Sequence, residues 1–275
     1  MQLFVSLWNY LRYDEPRSLQ EVLVQITSHD FGVELWPTVH SFSPYVPAYH
    51  PSFPCAEGYT EIHDLFLPEH RDWLKDALGP TRSCWHSRAF DDSPKAYGAF
   101  SDYQTEIDIA AHLDSEAISV HYIGEELTVR DYAGCTTDLV TRVLDYGVQQ
   151  GVSIALESLE FDSMRRALSD FPGLDVCLDP ACIHAHSTHD LRDFIDVIGD
   201  RVSFLHLYDV RDDLVHLTPG SGAIPVEDWK YMFAYLKDIS FTGPAVLEIR
   251  PPPERGHQSP IEAAMEARAF FDRLI

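Results

Sequence analysis

A chain of 275 residues with 45% hydrophobic content can bury a large core, and its length is close to that of an eightfold α/β barrel. Its 44 acidic and 20 basic residues give a formal charge of −24, a surface that repels nucleic-acid phosphates and disfavours polyanionic partners. The five cysteines (Cys55, Cys84, Cys135, Cys177 and Cys182) form no Cys-x-x-Cys pair, which disfavours a disulfide framework and favours reduced thiols in a cytoplasmic protein.

The N-terminal MQLFVSLWNY has no basic leader and no small-residue cleavage site, so residues 3–8 read as a first strand rather than a signal peptide. A helix over 18–28 and a strand over 32–36 follow. The proline-rich segment 37–68, with His40, Tyr45, Tyr49, His50 and Phe53, then breaks the rhythm; a stretch this long with such aromatic content reads as a lid over a functional face. Further along, strands are expected over 82–86, 117–122, 153–157, 174–179, 202–207 and 245–249. Helices are expected over 68–78, 101–113, 131–150, 162–171, 190–198, 226–238 and 260–274. Within 131–150, Leu139, Val143 and Val148 recur near the helical period, and Gly151 stands where a C-terminal cap belongs. A second long connection, 209–225, follows the seventh strand.

Eight alternations of this kind close into a (β/α)₈ TIM barrel, a single domain over residues 1–275 with its long active-site loop around 37–68. A doubly wound open sheet is the alternative, yet no strand leads into a Gly-x-Gly-x-x-Gly turn or a Walker loop. No apolar stretch approaches the ~20 residues that span a bilayer, so a membrane is not expected as a partner.

The functional signal lies where strands end. Glu157 closes ALESLE's apolar run, Asp179 closes LDVCLD, His206 interrupts VSFLHLYD and Glu248 interrupts AVLEIRP. Each stands near the C-terminal end of a different strand, where barrel enzymes carry their chemistry. Any one alone reads as a hydrogen-bonded strand end. Three carboxylates and an imidazole converging on one mouth need a cation to offset the cost of burying charge, so the set predicts a divalent metal ion held by Glu157, Asp179, His206 and Glu248. His86 and His121, on neighbouring strands, are candidates for facing the substrate or a second metal; for each alone, a satisfied rim histidine is the simpler reading.

The ordered set ALESLE, CLD, FLHLYD, HLTPGSGAIP and VLEIR resembles the xylose isomerase-like superfamily over nearly the whole chain. That group includes sugar and keto-sugar epimerases, inosose dehydratases and metal-dependent apurinic-site endonucleases. The resemblance implies one Mn²⁺, Mg²⁺, Co²⁺ or Zn²⁺ ion at the four matching positions, with Glu157 and Glu248 also catalytic in moving the proton next to a carbonyl. His86, His121, His184 and Arg211 become candidate substrate-binding residues, although Arg211 also reads as a loop arginine paired with Asp212. The endonuclease branch implies candidates for an additional metal at Asp213 and His216. The spacings Asp179-Pro-Ala-Cys-Ile-His184 and Asp213-Leu-Val-His216 are longer than that branch uses.

The expected function is a metal-dependent isomerase or epimerase, or a related lyase, of a polyhydroxy carbonyl compound. The alternative is a multi-zinc phosphodiesterase of the apurinic-site endonuclease kind. A non-catalytic barrel would be expected to have lost a ligand, and all four are present. The expected partner is a small polar molecule rather than nucleic acid, with homo-oligomer formation left open.

Overall fold

A computed structural model describes residues 1–12, 19–36, 68–87, 100–121, 135–157, 161–212, 214–249 and 259–274. Its barrel strands are β1 (Leu3–Ser6), β2 (Gly32–Leu35), β3 (Ser83–His86), β4 (Ala117–His121), β5 (Ser153–Glu157), β6 (Asp175–Leu178), β7 (Val202–Leu207) and β10 (Ala245–Leu247). They pair in parallel and in order, and β1 also pairs with β10, so the sheet closes. Between them run α1 (Leu19–Thr27), α2 (Pro68–Leu78), α3 (Phe100–His112), α4 (Cys135–Gln150), α5 (Phe161–Asp170), α6 (Pro180–His186), α7 (Leu191–Ile198), α8 (Val226–Asp238) and α9 (Pro260–Phe271). The expected (β/α)₈ barrel is therefore the observed fold.

The core has two parts, as the period-2 alternation of a strand requires. Outward-facing residues such as Val5, Val33, Trp85, Ile118, Leu156, Val176, Leu205 and Leu247 pack on the helices. Inward-facing Phe4, Cys84, Ala117, Ala155, Cys177, Phe204 and Val246 fill the barrel. The large rings of Phe4 and Phe204 leave room only for small neighbours. A Cβ at Gly32 would run into the Phe4 ring.

Helix boundaries follow their capping chemistry. Asp190 and Ser259 each form a capping box, with Asp193 and Glu262, and start α7 and α9. Gly151 adopts φ 74° just past α4, as expected of a C-terminal cap. Val148, however, is 76% exposed. Leu139 and Val143 face the core as expected, but the next core position is Gly147, where a Cβ would meet the Val152 carbonyl oxygen at 2.8 Å.

Two connections are more ordered than expected. Asp179 caps α6, with Pro180 as its first residue, where the sequence suggests only a strand end. Residues 209–225 are not structureless: β8 (Asp209–Arg211) and β9 (Leu214–Leu217) form an antiparallel hairpin. The fully buried Asp209 carboxylate accepts hydrogen bonds from the Val210, Gly220 and Ile224 amides and so ties this hairpin to its return. The segment expected to shield the mouth, 37–67, lies outside the described residues, as does Asp213. Among the described residues, no helix is long and apolar enough to cross a membrane.

Candidate metal centre

Alternation along each strand places the site directly above the inward layer. Two residues beyond Phe4, Gly32, Cys84, Ala117, Ala155, Cys177, Phe204 and Val246 stand Ser6, Glu34, His86, Ser119, Glu157, Asp179, His206 and Glu248. All of these are polar and buried. Every strand of the barrel thus contributes one polar side chain to a single ring at the C-terminal mouth, below which the apolar plug excludes water.

His206 is at the centre of this ring, edge-on to Phe204 with ring centroids 5.3 Å apart. Its Nε2 lies 3.2 Å from Glu34 Oε1. Its Nδ1 lies 2.5 Å from Glu157 Oε2 and 3.8 Å from Glu248 Oε2. Glu34 is itself fixed: Trp36 Nε1 donates to Glu34 Oε2 and to Ser6 Oγ, both at 2.8 Å. An Nε2–H donated to Glu34 leaves Nδ1 as the nitrogen turned toward Glu157 and Glu248, the arrangement by which an outer carboxylate orients a metal-ligating histidine.

Among the described residues, donor atoms fall into three overlapping trios, each within 4.8 Å: His86, Glu157 and His206; Glu34, His206 and Glu248; Glu157, Asp179 and Cys182. The four ligands expected from sequence are linked through these trios by the shared Glu157 and His206. Glu34 and Cys182 are the additions. His86 stacks between Trp36 (3.7 Å) and His206 (5.4 Å), and its Nδ1 lies 2.8 Å from the Ser87 carbonyl oxygen.

Electrostatics test whether these residues suit a cation. Burial and then the charge of Glu157 raise the Asp179 carboxyl from 3.8 to about 7. Asp179 Oδ1 accepts from the Cys182 amide at 2.8 Å, while Oδ2 is buried with no hydrogen-bond partner among the described residues. Burial raises Glu248 well above the carboxylate range; His206 opposes the rise, while Glu34, Glu157 and Asp179 add to it. Burial alone would raise Glu34, but the hydrogen bond and charge of His206 outweigh it, and Glu34 is held low. Burial likewise disfavours a charged His206, yet Cys177, Glu248 and Glu157 more than offset it, so its pKa is raised. Carboxylates gathered out of water, two of them with raised pKa for want of positive charge and one with an oxygen unsatisfied, fit a divalent ion.

Among the described residues, none of the remaining sequence candidates joins a donor trio. His121 ends β4 in register with Glu157. His184 is on the exposed side of α6, lining a cavity with Ile183, His189 and Ile224. Arg211 is exposed at the tip of the β8–β9 hairpin. His216, at φ 59°, stacks on Tyr208 (4.2 Å) and Trp8 (4.6 Å), with Nδ1 3.1 Å from the Glu248 carbonyl oxygen. Trp8 in turn faces Trp36 at 6.4 Å. One flank of the mouth is therefore a wall of aromatic rings that runs from Tyr208 through His216, Trp8 and Trp36 to His86.

A family model described as xylose isomerase-like TIM barrel matches residues 71–274. No curated protein matches the sequence. Among solved structures, a D-tagatose 3-epimerase-like protein is similar at 16% identity and a TM-score of 0.66, over 100% of this chain and 98% of that one. The IOLI protein with a binding zinc atom is similar at 18% identity and a TM-score of 0.69, with the same coverage. The 3-keto-D-glucoside 4-epimerase YcjR from E. coli is similar at 14% identity and a TM-score of 0.69, over 98% of this chain and 99% of that one.

Proposed function

As the chain belongs to the xylose isomerase-like TIM barrel family, we propose that it is a divalent-metal-dependent isomerase or epimerase of a sugar-like polyhydroxy carbonyl compound, working by proton transfer. The observation that carries this reading is the buried ring of carboxylates around His206, with an unsatisfied oxygen on Asp179. Similarity to a D-tagatose 3-epimerase-like protein and to a 3-keto-D-glucoside 4-epimerase supports the substrate class, and similarity to a protein with a binding zinc atom supports the metal.

Glu157, Asp179, His206 and Glu248 would hold the ion. When bound, it supplies Lewis-acid polarisation of a substrate carbonyl oxygen. Glu157 Oε2 and Glu248 Oε2 lie 2.5 and 3.8 Å from the same atom, His206 Nδ1, and so border one small volume. One carboxylate removes the proton next to the carbonyl, and the other returns a proton to the opposite face. A bound cation would keep both glutamates ionised, as removal of a proton requires. The aromatic wall of Trp8, Trp36 and His216 suits the C–H face of a sugar ring or chain, and excludes water that would quench the carbanion-like state.

The experiment is proton exchange. Metal-loaded protein incubated in D₂O with a panel of ketopentoses and ketohexoses should place deuterium on the carbon beside the carbonyl and yield the epimer or isomer. Turnover that survives removal of all metal would contradict the proposal. A second reading, a multi-zinc phosphodiesterase, is favoured only by the surplus of donors, since His86, Glu34 and Cys182 join the four expected ligands. Phosphodiester cleavage without sugar exchange would select that reading, against which the charge of −24 stands.

A further inference from the structure

Cys182 is not among the residues that the sequence singles out for metal binding, yet its sulfur is beside two of them. Its Sγ and one oxygen each from Glu157 and Asp179 lie within 4.8 Å of one another. Bonds of about 2.3 Å to sulfur and 2.0–2.2 Å to oxygen hold two ligands of one ion within ~4.5 Å of each other. The three donors are thus gathered around one point, and rotation of their side chains would close them on an ion. The cysteine is also positioned for the task by its own backbone. Its amide donates to Asp179 Oδ1 at 2.8 Å, which fixes the Asp179 carboxylate and leaves the buried Oδ2 without a partner among the described residues. Tyr208, buried at the end of β7, brings its Oη to 2.8 Å from the sulfur. A hydroxyl donated to a thiolate is the kind of outer contact that stabilises a metal-bound sulfur. Cys84 and Cys177 belong to the apolar plug one layer below; the Cys177 sulfur lies 3.9 Å from Glu157 Oε2, but among the described residues only Cys182 joins a donor trio.

We propose that Cys182 is a donor of the metal centre, and that its thiolate makes the Glu157–Asp179 side of the mouth selective for thiophilic divalent ions such as Zn²⁺, Co²⁺ and Cd²⁺ over Mg²⁺. Hard ions prefer an all-oxygen set, while a thiolate among the ligands favours the softer ones. The inference rests on the reading above that this mouth binds a divalent ion, and it adds which ion and through which atom.

The test is cobalt spectroscopy on the full-length protein after metal stripping and reduction. Co²⁺ titration should produce a thiolate-to-cobalt charge-transfer band in the near ultraviolet, saturating with the metal. The band should disappear in Cys182→Ser and persist in Cys84→Ala. Zn²⁺ and Cd²⁺ should bind Cys182→Ser more weakly by roughly 10-fold or more, since loss of even an outer contact costs that much, with Mg²⁺ binding little changed. Cobalt that binds wild-type protein without the band overturns the thiolate role and needs no variant, while leaving the metal reading intact. A band that survives in Cys182→Ser assigns the sulfur to another cysteine and also overturns the proposal. Cobalt that does not bind at all overturns both readings.

Discussion

Asp179→Asn separates the cost of a buried carboxylate from its use as a ligand. In metal-free protein, burial and Glu157 carry the Asp179 carboxyl from 3.8 to about 7. The folded state therefore holds a proton that the unfolded chain releases near pH 4, and this proton is lost from the folded state only as pH rises through about 7. Between those values the unfolded chain binds fewer protons, so stability falls as pH rises, by roughly 4 kcal/mol at ~1.4 kcal/mol per pH unit. The amide of the variant keeps an oxygen for the Cys182 N–H, and Asn caps helices as well as Asp does, so α6 should survive. Thermal unfolding by circular dichroism in EDTA should then give similar midpoints for both proteins near pH 4.5. By pH 8 the variant should be the more stable, by on the order of 5–10 °C. Saturating Mn²⁺ should shrink or reverse the gap, because only the wild-type protein has the full ligand set. A gap that is the same at every pH in EDTA would refute the argument that burial holds this carboxyl neutral.

Three further substitutions test other parts of the account. Glu34→Gln keeps the contact with His206 but removes the charge that orients it, so metal affinity by isothermal titration should fall ~10–100-fold, and an unchanged affinity would make Glu34 a bystander. Glu248→Gln should retain bound metal by elemental analysis while turnover and deuterium uptake fall by about 10²–10⁴-fold; wild-type turnover would end the two-glutamate mechanism. Gly147→Ala should cost roughly 1–3 kcal/mol in unfolding experiments without touching metal affinity, because its methyl group meets the Val152 carbonyl. A neutral result would mean that α4 can shift away from β5 at no cost.

The barrel and the polar ends of four of its strands are legible because those ends show polar residues against apolar runs: SIALE ends in Glu157 and VSFLHL contains His206. Glu34 carries the same signal, a carboxylate within the apolar GVEL, but β2 is short and Trp36 reads as its end. Counting two residues along each strand from the apolar plug finds it at once. The register that defines the plug, however, depends on strand pairings, which a single sequence does not display. Cys182 is hidden differently. It belongs to no strand, and only the turn from Asp179 into α6 brings its sulfur back to the mouth. The aromatic wall joins Trp8, Trp36, His86 and His216, which are distant in sequence and meet only when the barrel closes. Val148 shows the limit of helical periodicity: one residue of phase error moves a core expectation from the buried Gly147 to an exposed face.

A divalent ion held at one mouth of this barrel between Glu157, Asp179, His206 and Glu248 would be visible directly. The most direct measurement is an anomalous-scattering map from Mn²⁺-soaked crystals, collected on both sides of the manganese absorption edge. The account predicts a strong peak bounded by one atom from each of the four side chains, at roughly 2.0–2.3 Å. Absence of a peak there at saturating Mn²⁺, or a peak elsewhere on the protein alone, would contradict it.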